Sequence, residues 1–176
     1  MKTYLDSPNA KFRLSAIRHL CRVSDDIVAP KIQEMLRSDD EIERSFAVHC
    51  LALMNSDGSL SQLDQYMSDD QNAISTRVRA AEILLSVGRD DCLPFLFSVA
   101  RNSQDISAYY AACAVKHHDR IEGFKLFEAF LTPDHPAAPV AALQIATEMG
   151  NVEMGFQTDA LVHARQWLSD EIEKAR

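Results

Sequence analysis

Glycine is scarce in this chain of 176 residues, five in all, and the scarcity excludes a good deal of chemistry. A phosphate-cradling loop needs several closely spaced glycines whose backbone N–H groups converge on the anion. Gly58, Gly88, Gly123, Gly150 and Gly155 are scattered singly, and no Gly-x-Ser-x-Gly elbow is present to expose a nucleophilic serine. The four cysteines, Cys21, Cys50, Cys92 and Cys113, form no Cys-x-x-Cys pair. Three of them fall among helix-core positions, as the reduced, buried thiols of a cytoplasmic protein would. No stretch approaches the roughly 20 apolar residues of a membrane-spanning helix. Met1 to Pro8 also lacks the apolar run of about 7–15 residues that a secretory signal requires. The expectation is a cytoplasmic protein with no membrane partner. Cations are outnumbered, Lys+Arg 18 against Asp+Glu 26, for a net charge of −8. That balance argues against a broad nucleic-acid surface, which needs clustered cations to displace counterions. Clean alternation of β-branched and polar residues over a strand length is missing as well.

What the chain does have is an apolar repeat. Ala16, Ala47, Ala80, Ala111 and Ala142 follow one another at 31, 33, 31 and 31 residues. One residue after each stand Ile17, Val48, Ala81, Ala112 and Leu143; four after each stand Leu20, Leu51, Leu84, Val115 and Ala146. These offsets define one apolar stripe of a helix. Sixteen residues after the first four anchors come Ile32, Leu63, Leu96 and Phe127, and at twenty come Leu36, Met67, Ala100 and Leu131. A second amphipathic helix therefore belongs to each unit, and periods of this length mark stacked repeats.

The breaks agree. Asp25-Asp26, Asn55-Ser56-Asp57-Gly58, Gly88-Arg89-Asp90-Asp91 and Asp119 separate first from second helices. Ser38-Asp39-Asp40, Ser68-Asp69-Asp70, Asn102-Ser103-Gln104-Asp105 and Thr132-Pro133-Asp134 separate units. Side chains of these types accept hydrogen bonds from the free N–H groups that open the next helix. Pro30 and Pro94 are expected in or near the first turn of a second helix, where a missing N–H costs little. The turns hold thirteen of the 26 acids, so half the acidity has a structural explanation before any ligand is invoked.

Phe12-Arg13-Leu14-Ser15-Ala16-Ile17 and Arg77-Val78-Arg79-Ala80-Ala81-Glu82-Ile83-Leu84 resemble short bacterial HEAT-like repeats of the phycobilisome lyase-like family. Glu43-Arg44-Ser45-Phe46-Ala47-Val48 is a looser copy. Arg13, Arg44 and Arg77, each three residues before its anchor, resemble the family's arginine ladder, which implies bonds to aspartates of the inter-helix turns. Ala108 and Pro139 take that place in the fourth and fifth units, so the ladder should stop after three rungs. The resemblance covers roughly residues 5–150 and implies an all-α fold, an α-solenoid of about five stacked helical hairpins in a HEAT-like superhelix. We expect a single domain over 1–176, with units at approximately 5–36, 37–67, 68–100, 101–131 and 132–176. A capping helix from about Thr158, carrying Leu161, Val162, Arg165, Trp167, Leu168 and Ile172, should close the C-terminal end. Tyr4, Leu5, Phe12 and Leu14 should form a partly open edge at the other.

The search for a reactive centre returns little. His19, His49, His117, His118, His135 and His163 form neither His-Glu-x-x-His nor the His-Glu dipeptides of metal-binding HEAT-like hydroxylases. His117-His118-Asp119 is the most metal-like cluster, yet neighbouring helical residues point about 100° apart and do not share an ion. His19 and His49 read as hydrogen-bonded residues at the core edge. Tyr66 and the Tyr109-Tyr110 pair read as core. No catalytic residue, metal or cofactor is assigned. Offsets +14, +17, +18 and +21 should point outward from the second helices, which usually line the concave face in this architecture. They supply the candidate partner-binding residues Gln33, Arg37, Asp64, Gln65, Phe97, Arg101, Lys125 and Glu128. Phe97, flanked by Arg37 and Arg101, is either tucked between second helices or an exposed anchor of the kind enriched at binding hot spots. The reading is a non-catalytic protein–protein interaction module of adaptor, chaperone, inhibitor or immunity type. Its negative charge favours a partner with a basic surface. Two alternatives are a lyase-like enzyme or subunit acting on a tetrapyrrole–protein bond, which the resemblance implies, and a HEAT-like DNA-repair glycosylase. The scattered cations argue against the second.

Overall fold

The computed structural model describes residues 5, 7–22, 25–150 and 159–175, apart from the side chains of Ala10, Asp25 and Asp26. Tyr4 of the expected N-terminal edge, and Gly155 and Thr158 of the expected approach to the capping helix, lie outside the described residues. Among those described there are ten α-helices and no strand. In chain order they are α1 (Ala10–Leu20), α2 (Asp25–Leu36), α3 (Glu41–Met54), α4 (Asp57–Ser68), α5 (Ile74–Ser86), α6 (Leu93–Asn102), α7 (Ile106–His118), α8 (Arg120–Phe130), α9 (Ala138–Glu148) and α10 (Ala160–Lys174). A 3₁₀ turn, Asp90–Cys92, leads into α6.

The chain divides into two compact units, Met1–Leu84 and Leu85–Arg176. In the first, α1 packs on α2, α2 on α3 and α3 on α4, while α1 also touches α3. Helix α5 is tied in by hydrogen bonds: Ser75 Oγ to Glu41 Oε1 at 2.6 Å, and the Tyr66 and Thr76 hydroxyls at 3.3 Å. In the second, α6 packs on α7, α7 on α8 and α9 on α10, and α8 lies against α6, α9 and α10. Each unit is thus made of stacked helical hairpins, the α-solenoid class of fold.

The apolar repeat is what fills both interiors. All five alanine anchors are buried, as are Ile32, Leu63, Leu96 and Phe127 of the second helices. Alanine at the anchor lets helices approach closely at little entropic cost, and the larger second-helix residues fill the space between. The C-terminal helix buries Ala160, Ala164, Leu168 and Ile172, a strict four-residue stripe, and sets Trp167 edge-on against Phe124 with centroids 5.4 Å apart. Its remaining faces are polar, as expected of a cap. Val162, 68% exposed, is the exception.

The turn acids cap as the sequence suggests. Asp40, Asp105 and Asp119 each accept from N–H groups in the first turn of α3, α7 and α8, and Ser56 forms a reciprocal capping box with Ser59 on α4. Two expectations need correction. Pro94 does sit in the first turn of α6, but Pro30 lies inside α2, because that helix begins earlier, at Asp25. Tyr66 is buried as expected, whereas Tyr110 is 53% exposed. It stands one residue before its anchor, about 100° around the helix from the stripe.

The three ladder arginines each donate to main-chain carbonyls. Arg13 donates to the carbonyls of Ser7 and Pro8 at 2.8 and 3.2 Å, and Arg44 to that of Ser38 at 2.6 Å. Arg77 donates through Nε to Met67 O at 2.7 Å. For Arg44 and Arg77 these carbonyls lie just past or within the last turn of α2 and α4, where a helix C-terminus leaves carbonyls without partners and carries partial negative charge.

Candidate functional site

The outward positions of the second helices are all exposed or half-buried, and each unit contributes its own part. In the first unit, Gln33 on α2 is half-buried and donates through Nε2 to Gln62 Oε1 of α4 at 2.7 Å. Beside this amide pair, Leu36, Arg37, Gln65, Tyr66, Asp69 and Asn72 complete the wall of a shallow depression of about 190 Å³. Asn72 Nδ2 donates to Tyr66 O at 3.0 Å, so three amide groups of the wall, those of Gln33, Gln62 and Asn72, are held in place. Of the four residues chosen from sequence here, Gln33, Arg37 and Gln65 come together. Asp64, half-buried on the same helix as Gln65, is not in the lining.

Gln62 and Asn72 were not anticipated. Gln62 stands fifteen residues after Ala47, one step off the offsets used, and Asn72 belongs to a turn between units. The signal that would find Gln62 is its pairing: position +17 of one unit meets +15 of the next across adjacent second helices.

In the second unit, Phe97 is half-buried on α6 and the Arg101 guanidinium carbon lies 5.2 Å from its ring centroid. These two, with Pro94, Ser98, Asn102 and Glu122, line a depression of about 510 Å³. Phe97 is therefore neither fully tucked away nor free; its cation–π neighbour orients it at the surface. Lys125 and Glu128 are exposed on α8, and Lys125 is ion-paired to Glu122, one turn back. Glu122 is the residue missed: it falls in the first turn of α8, eleven residues after Ala111 and outside the offsets used.

The histidine cluster resolves into helix-end roles. Asp119 caps α8 through Ile121 and Glu122 N–H groups at 3.0 and 3.1 Å, His117 is exposed, and His118 Nδ1 stands 4.0 Å from Asp90 Oδ1. His19 is exposed, not at the core edge, whereas His49 is half-buried. His135 stacks on Phe130 with centroids 5.3 Å apart. No group of three or more His, Cys, Asp or Glu suited to a metal occurs among the described residues. Cys21, Cys50 and Cys92 are buried, and Cys113 is half-buried. A hydrogen bond with Cys21, and then burial, push the Cys50 thiol far above its usual range; burial pushes Cys92 up to about 11. Such thiols stay protonated and unreactive.

No helix among the described residues is long and apolar enough to cross a membrane. No curated protein matches the chain, and neither does any solved structure. The HEAT repeats family matches over residues 1–75, and HEAT repeats are commonly protein-interaction modules. With that match over the first hairpins, and paired helices carrying one buried register along both units, the chain is a HEAT-like repeat protein.

Proposed function

We propose that the protein is a non-catalytic interaction module that binds a partner protein through its second helices. Gln33, Arg37, Asp64 and Gln65 serve in the first unit, and Phe97, Arg101, Lys125 and Glu128 in the second. The observation that carries this reading is the Phe97–Arg101 pair: a half-buried ring at the surface, held by a guanidinium, beside an open depression. Aromatic and arginine side chains are enriched at binding hot spots: the ring offers large, rigid contact area, and the guanidinium offers several directed, charge-assisted hydrogen bonds. The Gln33–Gln62 bond supports the same view, since a surface already ordered costs less to immobilise on binding.

The test is affinity capture from the native host with the wild-type chain and two variants. Phe97→Ala and Arg101→Glu should each reduce recovery of the specific partner at least about tenfold, the scale of a hot-spot residue. Helicity and melting temperature should stay unchanged. Full recovery with both variants would remove the second-unit face from the assignment. The tetrapyrrole-lyase alternative is separated by incubating the purified protein with a bilin-carrying protein: a spectral change would favour the enzyme reading.

A further inference from the structure

The first helices of the first unit carry a different chemistry from the second-helix faces. Residues 7–22 hold Lys11, Arg13, Arg18 and Arg22 and no acid, although acids outnumber bases 26 to 18 in the whole chain. Arg13 is committed to the Ser7 and Pro8 carbonyls, whereas Lys11, Arg18 and Arg22 stand exposed on and just after α1. Helix α1 touches α3, which shows two apolar side chains at its surface: Ile42 is 73% exposed and Phe46 is half-buried. Ile42, Phe46 and His49, with Glu41, Ser45 and Arg79 of α5, line an open depression of about 570 Å³. Glu41 accepts from the Ser75 hydroxyl, and Glu82 is ion-paired with Arg79. Three arginines are felt at His49 all the same. Burial first, and then Arg79, Arg18 and Arg22, hold the His49 imidazole below its ordinary pKa.

We infer that this face docks an acidic peptide segment of a partner protein. One apolar side chain of the segment fills the depression over Ile42, Phe46 and His49, and its carboxylates meet Arg18 and Arg22. An exposed isoleucine beside a phenylalanine gains from losing water, at about 25 cal/mol per Å². Guanidinium groups at the rim select carboxylates by bidentate hydrogen bonding. The net charge of −8 does not forbid this, because at physiological salt charges beyond about 8 Å are largely screened and the nearby arginines decide. None of the residues proposed for the second-helix faces takes part, so the two assignments stand or fall separately.

The test is selection of a phage-displayed dodecapeptide library on the immobilised full chain, followed by fluorescence anisotropy with the recovered peptides. Recovered sequences should combine several Asp or Glu with Leu, Ile or Phe. Their affinity should fall at least about tenfold in Arg18→Glu/Arg22→Glu and about threefold or more in Ile42→Ser, in keeping with lost charge pairs and one lost anchor. Phe97→Ala should leave it unchanged. All substituted side chains are exposed or half-buried, and unchanged helicity of the variants confirms that folding is not being read. Recovery of basic or featureless peptides would overturn the inference, as would acidic peptides indifferent to the α1 and α3 substitutions. A single-stranded oligothymidylate binding as tightly as the best peptide, and indifferent to Ile42→Ser, would reassign the face to nucleic acid.

Discussion

At Gly123 the helices α7 and α8 meet so closely that a methyl group has no room. A Cβ added there would stand 2.3 Å from Lys116 Cβ, 2.4 Å from its Cα and 2.7 Å from its N. Helix backbone cannot step aside, so Gly123→Ala should destabilise the chain by about 2–3 kcal/mol, the upper part of the overpacking range. Gly58, in the first turn of α4, has nothing within 4 Å of such a Cβ. There the same change should be neutral or stabilise by up to about 1 kcal/mol, through lower backbone entropy in the unfolded chain. Urea unfolding of the two variants side by side checks both signs. If they lose stability equally, the close approach at Gly123 is not real. Twelve residues after the first four anchors stand Val28, Ser59, Cys92 and Gly123, all buried. This column escapes a search for apolar stripes, which counts serine as polar and glycine as a breaker. Tight crossing of two helices needs small side chains, and small does not mean hydrophobic.

Elements were the most legible scale, and the caps show why. A first turn presents N–H groups that must find acceptors, so Asp40, Ser56, Asp105 and Asp119 mark helix starts by local chemistry alone. Helix α2 was harder. Its interior Pro30 invites a later start, yet the helix begins at Asp25 and buries Val28 ahead of the proline. The ladder arginines were identifiable by register, but their acceptors were not. Carbonyls lack a sequence signature, and Arg77 must reach back ten residues to Met67 because the turn before α5 is longer than the one before α3. Asp105 gives the prediction at this scale. Burial works against its charge, but the Ser107 N–H, the Ser107 side chain and the Ser103 hydroxyl outweigh it and hold the carboxyl below its ordinary value of 3.8. A carboxyl lowered on folding adds stability above its unfolded pKa and loses it as pH falls through the folded value. Asp105→Ala should therefore cost about 1 kcal/mol near neutrality, the usual worth of an N-cap. Thermal melts from pH 7 downward should show that deficit narrowing only once the pH passes below about 4. A deficit that narrows already near pH 6 would mean that Asp105 is not the titrating cap.

For the whole molecule, the register says that hairpins recur but does not locate the division between Leu84 and Leu85, which falls within α5. Charge is the property that acts at this scale. Acids outnumber bases 26 to 18, and the net −8 is what any approaching partner meets before it meets a side chain. Long-range attraction of this kind governs how often partners collide, while the packed anchors govern how long they stay. If the second-helix faces hold a basic partner, raising salt from about 0.01 to 1 M shortens the screening length from about 30 to 3 Å. The association rate should then fall roughly tenfold or more, with a much smaller change in dissociation. Phe97→Ala should do the reverse, speeding dissociation while leaving association within about twofold, because a half-buried ring is felt only after contact. Surface-immobilised partner and a salt series separate the two rates directly. Association that quickens with salt would show that the molecule's field repels its partner, and the second-helix faces would then have to recognise an acidic surface, through Arg37 in the first unit or through Arg101 and Lys125 in the second, against the charge of the rest of the chain.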